Sequence, residues 1–154
     1  MKNPTLGYEE DTEISKREIA TIQLEEAVRL FLEEKFLCAL TLAGAAEEIL
    51  SRLVNSIGQP SSAEGSAEAI LNLKNRGAVA GLAGVSQSSL FKQWNKGRNA
   101  MKHHDPKESE IVVLNVFDEA YWMIRRGLEN AKVIGVPIRN QLDFENWVVV
   151  NINM

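Results

Sequence analysis

A chain of 154 residues is long enough to bury a core of its own, so one domain accounts for it and neither disulfides nor a structural metal are needed. Its 45% hydrophobic and 25% charged residues exclude a disordered chain, and only 4 prolines leave long stretches free to be helical. A formal net charge of −4 argues against nonspecific nucleic-acid binding by the whole surface. The single cysteine, Cys38, cannot form an internal disulfide, and its apolar setting Phe36-Leu37-Cys38-Ala39-Leu40 reads as that of a buried structural thiol. Residues Met1 to Glu13 carry acids rather than a basic leader followed by an apolar run, and the apolar stretch 36–46 is too short to span a bilayer. The expectation is a cytoplasmic protein without membrane contact.

Residues 1–14, with Pro4, Gly7 and Glu9-Glu10-Asp11, lack periodicity and read as a flexible N-terminal arm, leaving 15–154 as the single domain. Ser15-Lys16-Arg17-Glu18 matches a capping box, and Ala20, Leu24, Ala27/Val28 and Phe31 recur at helical spacing, predicting a first helix of roughly 16–34. Glu25, Glu26, Glu33 and Glu34 form its solvated face. A second helix runs from Phe36 to Ile57 and is closed by Gly58 and Pro60. Within it Ala43, Glu47, Leu50 and Val54 fall at i, i+4, i+7 and i+11, which places a carboxylate at the edge of the apolar stripe. Glu47 therefore either reaches out to solvent or has a partner.

Gln59 to Gly65 reads as a loop, followed by a short helix from Ser66 to Lys74 or Asn75. The small-residue stretch 77–84 lacks the Gly-Lys-Ser/Thr of a phosphate loop and has no preceding strand, so it is read as a connection. Ser86 or Ser88 can cap a fourth helix that carries Leu90/Phe91, Trp94, Arg98 and Met101 on one stripe and ends near His104, because Asp105-Pro106 stops it. A fifth helix of roughly 108–133 follows from Ile111, Leu114, Phe117, Tyr121, Ile124, Leu128 and Ala131. The tail holds a short helix around 139–147 and then Val148-Val149-Val150, a β-prone run that packs back on the bundle or on a second copy. The fold class is all-α, an antiparallel bundle of about five helices with a short C-terminal extension.

Chemistry concentrates in Trp94 to Pro106, which holds both histidines. Lys92, Lys96, Arg98, Lys102 and Lys107 face only Asp105 across residues 92–107, a local +4 that leaves −8 for the rest. A basic patch on an acidic body suits a confined anionic ligand. Arg98 extends the apolar row, so its guanidinium points toward packing or a groove and needs an anion or a carboxylate. Lys92, Lys96, Asn99 and His103 share the neighbouring face, where the Asn99 amide could orient the His103 ring. Five residues separate Arg98 from His103, about 140° on an ideal helix, so they converge only across a frayed helix end or from two protomers. At a helix C-terminus the macrodipole favours a cationic His103, suited to phosphate contact or proton transfer. Trp94 and Tyr121 offer faces for base stacking or for core packing.

Arg98, Asn99 and His103, with His104 at the longer spacing, resemble the motif of the HEPN superfamily of small helical domains: an arginine, a polar residue, and a histidine four to six residues after the arginine. The Ala45-Ala46-Glu47-Glu48-Ile49-Leu50 stretch is similar to small bacterial members. The resemblance implies a metal-independent endoribonuclease without a cofactor, acting in stress or phage defence. Arg98 would hold the RNA phosphate and His103 would serve as acid or base, with Lys92, Lys96, Lys102 and Glu47 around the ligand. It further implies a homodimer that brings two motifs to one groove, and an antitoxin-type protein partner. In the toxin group controlled by tyrosine adenylylation a tyrosine stands two residues after the histidine; Asp105 occupies that position here.

Other readings stand beside this one. Arg98 could form a structural ion pair with Glu47 or Glu48, alone or together with phosphate binding, and the histidines could be solvated helix-end residues. Adjacent helical histidines diverge by about 100°, so no metal site is expected. The alternative function is a catalytically silent HEPN-like module that binds a nucleotide, RNA or a partner protein; a helical protein with no ligand at the motif is the third.

Overall fold

The computed structural model describes residues 4, 6–77 and 79–152, and within these the secondary structure is entirely helical. The helices are α1 (Lys16–Leu32), α2 (Phe36–Ser56), α3 (Ser62–Asn75), α4 (Gln87–Trp94), α5 (Lys96–Ala100), α6 (Val116–Val133) and α7 (Gln141–Asn151). The all-α class holds, with seven helices among the described residues in place of about five. Residues 6–14 are exposed and carry no helix; residues 1–3 and 5 of the expected arm, Ala78 of the small-residue connection and residues 153–154 of the tail lie outside the described residues.

Local chemistry accounts for the helix ends. Ser15 accepts a hydrogen bond from the Glu18 amide and starts α1. The turn to α2 is made by Glu34 at φ 60, while the Lys35 amide reaches back to the Leu30 carbonyl at 2.9 Å, so the final carbonyls of α1 are satisfied without a glycine. A full capping box forms at Ser61 and Glu64, which starts α3 four residues earlier than the expected Ser66. Asn130, fully buried on α6, receives the Ser62 amide at 2.8 Å and ties that same end of α3 to the core. Of the two candidate caps for α4, Ser86 is used.

Three expected elements differ. The fourth helix does not continue to His104: it breaks at Asn95, whose φ of −100 and ψ of 2 leave helical geometry, and resumes as α5 only to Ala100. Gly97, with its low helix propensity, follows the break. The fifth helix begins at Val116 rather than 108. Asn115 caps it by accepting from the Asp118 amide at 3.1 Å, and the β-branched run Ile111-Val112-Val113 stays non-helical and exposed despite its helical spacing. Val148-Val149-Val150, in contrast, is helical within α7, with Val148 buried against the core and Val149 and Val150 exposed. Tertiary packing overrides β-propensity there.

The core lies between α1, α2 and α6, with α7 closing one end. Ala39, Ala43, Ala46 and Leu50 form the inner stripe of α2 and meet Leu24, Val28 and Phe31 of α1 and Met123, Ile124 and Leu128 of α6. Phe31 is the hub of an aromatic cluster, with ring centroids 5.1 Å from Trp147, 5.2 Å from Phe36 and 5.3 Å from Phe144. Full burial of Phe31 and of Phe144 contributes roughly 1.5–3 kcal/mol each, plus edge-to-face attraction. Cys38 is exposed, not buried: one residue before Ala39, it is rotated about 100° off the inner stripe. Among the described residues no helix is long and apolar enough to cross a membrane.

Candidate functional site

The buried side of α2 creates an electrostatic demand that the rest of the site answers. Glu47 is 1% exposed, deeper than a position at the edge of a stripe would suggest. An isolated carboxylate at that depth is prohibitive, and two arginines meet it. Its Oε2 accepts from Arg98 Nη1 of α5 at 3.1 Å, and its Oε1 accepts from Arg126 Nη2 of α6 at 2.9 Å. Arg126 Nη1 also donates to the side-chain oxygen of Asn95 at 3.1 Å, so the residue at the α4/α5 break belongs to the same network. The Nε atoms of both arginines are buried without a hydrogen-bond partner.

Gly44, one turn before Glu47, makes room for this arrangement: a Cβ there would lie 2.5 Å from Arg98 Cγ and 3.0 Å from Cδ. The Arg98 stem thus crosses α2 at the one place without a side chain. Four residues on, Lys102 Nζ reaches Glu48 Oε2 at 3.0 Å, and this bond holds the Glu48 carboxyl below the usual carboxylate range. Consecutive glutamates of α2 therefore anchor α5 and the turn after it.

Gly97 plays the same part toward α6, because a Cβ on it would stand 2.7 Å from Glu119 Cδ. The Glu119 carboxyl packs against the α5 backbone, half-buried and without a hydrogen bond to the described residues. Burial raises its pKa, and the charges of Lys96 and Arg126 only partly oppose this.

Of the residues singled out in the sequence, Glu47, Arg98 and Lys102 come together through α2. Of the two partners considered for Arg98, the structure selects Glu47; Glu48 takes Lys102. Lys92, Lys96 and Asn99 are exposed on α4 and α5. His103 and His104 are exposed in the segment after α5, and their side chains make no hydrogen bond among the described residues. Only the His103 amide continues the helical pattern, donating to the Asn99 carbonyl at 3.1 Å. The Asn99 amide does not orient the His103 ring. The end of α5 at Ala100 supplies the break in helical register that an approach of Arg98 and His103 requires, yet Arg98 faces α2 while His103 faces water. Tyr121 is packed between Phe117 and Phe144, which leaves no face for a base; Trp94 is half-buried beside Phe91.

Arg126, Asn95 and Glu119 were not singled out by the sequence reading. A signal existed, because Glu119, Met123, Arg126 and Asn130 fall at i, i+4, i+7 and i+11 on α6, a row whose members Met123 and Asn130 are fully buried. A cation in such a row needs an anion, and Glu47 was the unpartnered one. Comparison of the chain with family models, curated proteins and solved structures finds no match.

Proposed function

We propose that this chain is a HEPN-like helical domain that holds an RNA phosphate at Arg98 and cleaves the strand without a metal, as a homodimer, in stress or phage defence. The observation that carries the reading is the state of Arg98. Its guanidinium is fixed through Nη1 by the buried Glu47, while Nη2 has no hydrogen-bond partner among the described residues and, unlike the buried Nε, retains solvent exposure. A pre-oriented arginine with one free edge, on a segment that also bears Lys92, Lys96, Lys102 and His103, matches what a phosphodiester requires.

In this reading His103 withdraws the 2′-hydroxyl proton, O2′ attacks phosphorus, and the P–O5′ bond breaks to leave a 2′,3′-cyclic phosphate. The partner's His103 protonates the departing O5′, which is why the site needs two protomers. A cytoplasmic location and an antitoxin-type protein partner belong to the same proposal. RNA incubated with the protein in EDTA is expected to yield 2′,3′-cyclic phosphate ends, and Arg98→Ala and His103→Ala are expected to abolish them. Intact RNA after exhaustive incubation with folded protein refutes the activity, and a monomer in light scattering at high concentration removes the shared-site mechanism.

One observation favours a catalytically silent HEPN-like module instead: Arg98 is engaged by Glu47, and no hydrogen bond joins it to His103. That reading expects RNA or nucleotide binding that depends on Arg98, with no cleavage.

A further inference from the structure

The buried cluster contains one carboxylate and two guanidinium groups, and the two arginines are not equivalent. Arg126 is committed at both Nη atoms, with Nη2 on Glu47 and Nη1 on Asn95. Among the described residues Arg98 has one side-chain bond, to the opposite oxygen of the same carboxylate, and no partner at Nη2. Neutrality of Glu47 requires a single cation. Arg126, 13% exposed and bonded at both Nη atoms, supplies it, so the positive charge of Arg98 is not needed to neutralise Glu47.

We infer that Arg126 is a positioning residue that neutralises Glu47 and thereby frees the Arg98 charge for a phosphate of a bound RNA strand. The inference rests on the function proposed above and specifies how that site is tuned. Without Arg126, Glu47 and Arg98 form a closed neutral pair, and an incoming phosphate must compete with a carboxylate already in place. With Arg126, the phosphate can draw Arg98 toward solvent while Glu47 keeps a cationic partner. Glu47 orients Arg98 in the empty site and is not left as an unpaired buried anion in the filled one. The α4/α5 break belongs to this arrangement, since Asn95 is the second anchor of Arg126.

The test is binding of a fluorescein-labelled 2′-O-methyl RNA oligonucleotide, which has no 2′-hydroxyl to attack, measured by anisotropy at low salt with the full-length protein. Arg98→Gln is expected to weaken binding about 10- to 100-fold, the worth of one charge-assisted contact. Arg126→Gln, although it removes a residue that touches no ligand, is expected to weaken binding to a similar degree. The double variant Glu47→Gln/Arg126→Gln is expected to recover wild-type affinity to within about threefold, because the glutamine amide oxygen can still accept from Arg98 and orient it without holding it by charge. A purely structural role for Arg126 gives no such rescue. Should Arg126→Gln fail to fold by circular dichroism, the double variant and Arg126→Lys carry the test: both bind as wild type if charge balance governs the site, and a loss in either overturns the inference. Weakening by Arg98→Gln with none by Arg126→Gln refutes the role of Arg126 and leaves the proposed function standing. Absence of RNA binding by the wild-type protein refutes both.

Discussion

Replacing Glu47 with alanine is the perturbation to which this fold should be most sensitive. The carboxylate side chain is 2% exposed and bonds two guanidinium groups whose side chains are 14% and 13% exposed. Its removal changes the local charge from +1 to +2, leaves Arg98 without the one side-chain partner it has among the described residues, and opens a void beneath α5 and α6. Breaking a buried ion pair from one side costs roughly 3–5 kcal/mol. The residual water access of the two arginines places the expected loss near the lower end, about 3 kcal/mol, a large part of the roughly 5–15 kcal/mol that stabilises a domain. At about 2–4 °C per kcal/mol for a chain of this size, the melting midpoint should fall by roughly 6–12 °C. Urea denaturation followed by far-UV circular dichroism measures the loss directly. A change below about 1 kcal/mol at an unchanged m-value would refute the claim that Glu47 is the electrostatic keystone. The triple replacement Glu47→Leu/Arg98→Met/Arg126→Met gives the complementary result. Replacing a whole buried charge cluster by apolar groups of similar size is often neutral or stabilising, so most of the stability should return while RNA binding does not.

Two further predictions follow from the glycine contacts and the buried carboxyl groups. Gly44→Ala should lower the unfolding free energy measured in urea by about 1–2 kcal/mol, since the clash with the Arg98 stem outweighs the gain in helix propensity of about 1 kcal/mol; a stabilised variant would show that Arg98 moves aside freely. Glu119→Gln should stabilise the protein at neutral pH. Burial raises the Glu119 pKa above its unfolded value, so the native state binds the proton more tightly, and stability falls as pH rises through the folded pKa. The advantage of the glutamine variant should therefore shrink as pH drops to the unfolded value near 4.5, and an advantage that grows in acid would contradict that sign.

The legible part of the fold lies where local signals agree with packing. The α2 stripe Ala39, Ala43, Ala46 and Leu50 and the α1 row Ala20, Leu24, Ala27 and Phe31 are continuous periodic patterns, α1 opened by the Ser15 cap and α2 closed at Gly58, so their helices are readable within a few residues. Boundaries became misleading where helical spacing and local chemistry disagreed. Ile111, Leu114 and Phe117 keep helical spacing, yet the β-branched Ile111-Val112-Val113 run and the Asn115 cap delay α6 to Val116. Val148 to Val150 went the other way, since a buried Val148 and the α7 packing face held them in a helix.

At the candidate site, the local pattern alone marks which residues carry charge and where it concentrates: a carboxylate on the apolar side of α2, an arginine continuing an apolar row, and two histidines near a helix end. Those conclusions follow from composition and from the 3.6-residue repeat, which are local properties. Helix packing adds that Glu47 serves two arginines, that Arg126, 79 residues along the chain, is one of them, and that Gly44 and Gly97 let the helices approach closely enough for both to fit. Pairing between distant helices depends on which faces are buried together, and no periodicity within one helix encodes its partner. Arg98 and His103, five residues apart, are likewise separated by a tertiary choice: one guanidinium drawn in to a buried carboxylate, one imidazole left in water beyond the end of α5.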